Sequence, residues 1–268
     1  MMPPLPIPFR LGTTSYIIPD EILPNARFLA DKVQDIELIL FEVDDGPNNI
    51  PGEDVIRELN VIARAEGLSY TVHLPLDLKL GANGDESHVS LLKARKVIER
   101  TRPLDPWAYV LHLDGKELRQ ERSAADYTRW QEQCVRALDI VSAWTGSLER
   151  LAVENLESYP PDFVQPVLER IGISRCFDVG HLWLDGHDPL PWLKKYLPRT
   201  RVIHLHGLAE RDHKSIAHMR PEQLDPVIDF LLREKYSGVL TLEIFNEPDF
   251  TSSKKALIES LERLCRNA

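Results

Sequence analysis

Eight times along the 268 residues a short apolar run is followed by a stretch of helical periodicity, and nothing interrupts the alternation. The apolar runs lie at 9–16, 36–42, 68–75, 107–113, 148–156, 173–178, 201–207 and 239–245. Helical patterns follow at 23–33, 53–66, 87–100, 127–144, 162–171, 190–196, 221–235 and 252–266. In the second of these, Val55, Ile56, Leu59 and Ile62 share one face. The runs are nearly continuous in apolar residues, as expected of strands buried on both sheet faces. Eight strand–helix units in this length close into a (β/α)8 TIM barrel, α/β in class, with residues 1–268 as one domain. An open, doubly wound sheet is the alternative. It leads one to look for a Gly-rich phosphate turn after the first strand, and LGTTSY does not match G-x-G-x-x-G.

In such a barrel the C-terminal ends of the strands form the active-site face. Six of the eight runs end in a side chain that can ligate a metal: His73, His112, Glu154, Asp178 followed by His181, His204 with His206, and Glu243. The loop after the seventh adds Asp212 and His213. Asp178 and His181, three apart on a turn loosened by Gly180, suit hard-to-borderline ions. Taken alone, an Asp at a strand end is more often a helix cap, and a lone His or Glu is usually hydrogen-bonded or salt-bridged. The recurrence at successive strand ends is what argues for a shared site.

Alternation along the strands supports it. Ala152 and Glu154 share one face, as do Thr241 and Glu243, while Leu151, Val153, Leu240 and Leu242 point the other way. Burying that many charges without a counter-ion is prohibitively costly, so divalent cations are expected. Glu154, Glu243 and His112 are the candidate catalytic residues. His88, His187 and His218 fall in loops or helices away from the strand ends and are set aside, and the role of His206 is left open.

A formal net charge of −10 argues against a surface that tracks nucleic-acid phosphates. Cys134, Cys176 and Cys265 are odd in number and have no CxxC spacing, which suggests neither a disulfide framework nor a Cys-rich zinc site. The start, MMPPLPIPF, has no basic n-region, and no apolar run reaches membrane-spanning length. The expectation is a cytoplasmic protein acting on a small molecule, away from membranes, with its oligomeric state open.

The motifs TVHLP, VLHLDG, AVENLE, FDVGHL, VIHLHG, RDHKS and TLEIFN resemble those of the xylose isomerase-like barrel superfamily, in its endonuclease IV (AP endonuclease family 2) branch. The likeness covers essentially the whole chain. It implies up to three zinc ions, with manganese as the other metal considered. His73, His112 and Glu154 would hold the first. Glu154 would bridge to a second, held also by Asp178, His204 and Glu243, and His181 with His213 would hold a third. The family's third ion also takes an Asp two residues before the last His, where this chain has Arg211. Asp212 would then substitute, or only two ions would be firmly held.

The segments LGTTSYIIPDEILPN, RPLDPWAYVLHLDG and YLPRTRVIHLHG, with RDHKS, resemble the cobamide-remodelling phosphodiesterases, which cut the nucleotide loop of B12-type corrinoids. That likeness implies a corrinoid substrate, with Pro47, Leu76, Leu78, Leu182 and Trp183 as candidate apolar contacts near the mouth. Sugar isomerases and epimerases of the same superfamily use one ion held by Glu, Asp, His and Glu. Glu154, Asp178, His204 and Glu243 would serve them equally well, but His73, His112 and His213 have no task in that scheme and favour a multinuclear phosphodiester hydrolase. Cleavage of abasic DNA is disfavoured by the negative charge and the short loops.

Overall fold

The computed structural model describes residues 7–41, 48–119 and 123–267. Its strands are β1 (Arg10–Thr14), β2 (Asp35–Ile39), β3 (Ser69–His73), β4 (Tyr109–Leu111), β5 (Leu151–Glu154), β6 (Ser174–Asp178), β7 (Thr200–Leu205) and β8 (Val239–Leu242). They pair in parallel in chain order, and β8 returns to β1. With β1 paired to both β2 and β8, none of the eight strands is left as an edge, which an open sheet does not allow.

Helices follow every strand: α1 (Ile22–Leu29), α2 (Glu53–Glu66), α3 (Val89–Thr101), α4 (Ala124–Thr145), α5 (Gln165–Arg170), α6 (Val179–Leu184) and α7 (Leu190–Tyr196), α8 (Pro221–Arg233) and α9 (Glu247–Asn267). Their ends carry ordinary signals. Ser123 accepts the amide of Asp126 to start α4, and Gly67, at φ 67°, closes α2.

Alternation along each strand separates two cores. Outward residues such as Leu38, Val72, Leu111, Val153, Phe177, Ile203 and Leu240 join the helix residues Leu59, Leu91, Leu138 and Leu168 in one large apolar layer. Inward residues Ala108, Val110, Ala152, Cys176 and Val202 form a small cluster of their own, with Trp107 packed against it. Toward the C-terminal ends the interior changes character. Glu37, Thr71, Glu154, Asp178, His204, Thr241 and Glu243 are all buried there. A barrel interior is normally filled by branched apolar side chains, so a polar upper layer marks a site.

Three local expectations change. Residues 148–150 form a 3-10 turn, leaving β5 only four residues long. Helix α9 starts at Glu247, earlier than residue 252, because Asn246 Oδ1 accepts the amide of Asp249 at 2.8 Å and Pro248 sits in the first turn, where a missing N–H costs nothing. The segment after Asp178 is the helix α6, and Gly180 serves space there, not turn flexibility. A Cβ on Gly180 would stand 2.3 Å from the His206 ring. Glu42, at the end of the second apolar run, and Pro47 lie outside the described residues.

Candidate metal centre

The strand ends bring all eight expected ligands into one cluster. His73 and Glu154 are the last residues of β3 and β5, and His112 and Glu243 come one residue after β4 and β8. Sheet register sets Asp178 opposite His204. Glu154 is the hub. Its Oε2 lies 3.0 Å from His112 Nε2 and 3.4 Å from His73 Nε2, and its Oε1 lies 3.1 Å from His204 Nδ1. Glu243 Oε2 stands 3.3 Å from both His204 Nδ1 and His213 Nδ1. Asp178 Oδ2 is 3.5 Å from His181 Nδ1 and 3.7 Å from His204 Nδ1. Ligand atoms within 4.8 Å of one another occur in the sets His73–His112–Glu154, Glu154–Asp178–His204–Glu243 and His181–His206–His213.

Asp178 has two jobs, one per oxygen. Oδ1 accepts the amide of His181 at 2.6 Å and caps α6, and Oδ2 is buried without a hydrogen bond. The helix-cap reading and the ligand reading of this residue are thus compatible. Asn155, from the VEN motif, holds it in place: its Oδ1 accepts Asp178 N–H at 3.0 Å and its Nδ2 donates to Asp178 O at 2.9 Å.

Four of the histidines have one ring nitrogen held by an acceptor. His73 Nδ1 donates to Leu74 O at 2.9 Å, His112 Nδ1 to Asp77 at 3.1 Å, His181 Nδ1 to Asn155 O at 3.0 Å and His204 Nε2 to Glu37 at 3.0 Å. A carbonyl or carboxylate can only accept, so that nitrogen carries a proton, and an ion would bind through the other once any proton there has left. Ligating histidines are commonly held in this way. Together with the orphaned buried atoms Asp178 Oδ2, Glu243 Oε2 and His213 Nδ1, it shows that these residues fit divalent cations.

Without ions, protons supply the positive charge. Burial alone would lower the His112 pKa, but hydrogen bonds to Asp77 and Glu154 outweigh it and push it up to about 10. His213, beside Glu243, rises to about 9 against the same burial effect. Burial would raise Glu154, yet the charge of His204 and the hydrogen bonds of His112, His204 and His73 hold it well below the carboxylate range. Deeper inside the barrel, burial raises Asp35 to about 7.

Glu37, Asp77 and Asn155 were not singled out from the sequence. For Glu37 a signal existed: it is an acid set between the apolar residues Ile36 and Leu38 of a strand. His206, left open, is fully buried with Nε2 3.5 Å from Asp178 Oδ1. Arg211 is exposed, and Asp212 Oδ2 lies 3.8 Å from His213 Nε2. His88 caps α3 through Ser90, and His187 is exposed. The apolar rim differs from expectation. Leu78, Leu182 and Trp183 are buried in the strand–helix layer, where covering the barrel consumes their surface. Leu76 is exposed, as is Phe245, whose ring packs on His213.

A parallel barrel with its ionisable residues gathered at the C-terminal mouth has the layout of a (β/α)8 enzyme. The chain belongs to the xylose isomerase-like TIM barrel family, whose sequence model matches residues 31–267. An inosose dehydratase of Bacillus anthracis is 43% identical over 49 residues, a match spanning 18% of this chain and only 15% of that relative. Among solved structures, a D-tagatose 3-epimerase-like protein superposes with a TM-score of 0.73 at 18% identity, covering 97% of this chain and 99% of the other. Endonuclease IV from Thermus thermophilus gives 0.65 at 17% identity, covering 95% and 99%. At these identities the two structures speak for the fold. The named relatives are enzymes, and among the described residues no helix is long and apolar enough to cross a membrane.

Proposed function

We propose that the protein is a metal-dependent hydrolase of a small-molecule phosphodiester, with the nucleotide loop of a cobamide as the foremost substrate. The observation that carries this reading is the set His73–His112–Glu154, built beside the set Glu154–Asp178–His204–Glu243 and sharing its hub. One set suffices for a single ion, so the second argues for more than one. Charge points the same way. Glu37, Glu154, Asp178 and Glu243 converge in the barrel, and one divalent ion leaves them net negative, which repels a phosphodiester. Two ions neutralise them and three leave the site positive. When bound, divalent ions would supply Lewis-acid charge to the phosphate oxygens and acidify a water for the attack.

The chain's own residues do the rest. Glu154 draws the two sets together, Glu37 and Asp77 orient His204 and His112, and the surrounding strands keep the carboxylates dry. The cobamide assignment rests on the likeness of the segments at 11–25, 102–115 and 196–207, with Leu76 and Phe245 as exposed apolar rim for a broad ligand. The rival is a sugar isomerase or epimerase using one ion. The four-residue set favours it, and it fails to employ His73 and His112.

Elemental analysis of protein purified without added metal, followed by incubation with a cobamide, an abasic duplex and a panel of ketoses, separates these readings. More than one ion per chain and cobamide cleavage are expected. Saturation at one ion with ketose turnover would replace the hydrolase by the isomerase. His112→Ala and Glu154→Ala should abolish hydrolysis with circular dichroism unchanged, and His187→Ala should match wild type.

A further inference from the structure

His206 stands among the candidate ligands, and its ring is held the opposite way from theirs. The backbone N–H of His213 points at His206 Nδ1 at 3.1 Å. A backbone N–H can only donate, so Nδ1 presents a lone pair there, and its 3.4 Å approach to Gly207 O cannot be a donated bond at the same time. The proton of the neutral ring is therefore on Nε2, the nitrogen that faces the cluster. In His73, His112, His181 and His204 the supporting bond is one the ring donates, to a carbonyl or a carboxylate, whereas in His206 it is one the ring accepts.

We infer that His206 is a positioning residue and not a third-site ligand: it fixes the loop that carries His213. The inference rests on the metal reading of the site given above. His206 Nε2 is buried without a hydrogen-bond partner, 3.5 Å from Asp178 Oδ1, the oxygen already engaged by the His181 amide, and Asp178 Oδ2 is left unpaired. His213 itself sits at φ 50°, a backbone conformation that favours glycine, and needs a restraint to stay there. The restraint is double. Gly207 and Lys214 pair antiparallel across the loop, at 2.6 and 3.1 Å, and the His206 ring takes the His213 amide between them. Gly180 keeps the space open, since a side chain there would occupy the ring's place. The place of the family's third-site Asp, Arg211 in this chain, is thus not filled by His206.

Asparagine and leucine at this position separate positioning from ligation. Asn carries its amide oxygen close to where Nδ1 stands but reaches neither Asp178 nor an ion, and Leu offers no acceptor. Cobalt(II) titration, followed by visible absorption and elemental analysis, reads the number and kind of ligands directly. Expected are wild-type stoichiometry and band shape in His206→Asn, and metal affinity weakened about 10–100-fold in His206→Leu. Gly180→Ala, which displaces the ring from an intact helix, should follow His206→Leu. Loss of one equivalent with altered bands in His206→Asn would make the residue a ligand and overturn the inference, as would a His206→Leu protein identical to wild type. A wild-type chain that takes up no cobalt would remove the metal reading itself, and the inference with it.

Discussion

At the residue scale, the rings that would take up ions are those that hold protons without them. His112 keeps its proton to about pH 10 and His213 to about pH 9, so both are charged at neutral pH in the metal-free protein. An ion that takes their nitrogens must expel those protons. Zinc affinity is therefore expected to rise with pH from 7 toward 9–10. Calorimetry in buffers of differing ionisation enthalpy should register proton release, and an equal heat in every buffer would contradict it. The sign for stability is opposite. The folded pKa of His112 lies above its ordinary value near 6.5, so its contribution is whole below that pH and fades as pH climbs to about 10. The melting temperature of chelated protein should fall across that window. None of this was legible from residue types alone. The eight candidate ligands could be named from the strand ends and the segments just after them, but which oxygen of Asp178 caps and which is bare is decided by a 2.6 Å contact that only the folded chain makes.

At the scale of elements, the site depends on how β5 is tied to β6. Asn155 makes two hydrogen bonds to the backbone of Asp178, and its own carbonyl orients His181. Asn155→Ala leaves a buried N–H and C=O unpaired, at a cost of roughly 1–3 kcal/mol. It should also weaken metal binding about 10–100-fold by freeing Asp178, as loss of such a support does elsewhere. Thermal unfolding and metal titration on the same sample would check both, and unchanged affinity would make the tie structural only. The strands themselves were readable because each is a short, nearly unbroken apolar run, as burial on both faces requires. Helix α6 was not, since six residues give too little periodicity to see and its cap is a residue with a second task. The start of α9 escaped for a related reason: Pro248 reads as a loop signal, yet a first turn accepts it.

At the scale of the whole molecule, ions bound to the folded barrel and not to the open chain stabilise it by mass action, by about 4 kcal/mol at a thousandfold excess over Kd. Chelation should lower the melting temperature by several degrees and zinc should restore it. A melting temperature indifferent to both would argue against ions at the strand ends. The barrel was legible because each of its eight units repeats the same pattern. The rim was not, because exposure at the mouth depends on how the loops fold back over the strands, as the buried Leu78, Leu182 and Trp183 show.

Closure of β8 on β1 also imposes an order on biosynthesis. Glu37 is translated first, His204 much later and Glu243 later still, yet Glu37 and Glu243 both meet the His204 ring. A nascent chain stopped short of Val239 lacks Glu243 and leaves β1 and β7 as open edges, without the closed ring that holds the interior acids. An ion held by both His204 and Glu243 would therefore be taken up only once β8 has been made and has closed on β1.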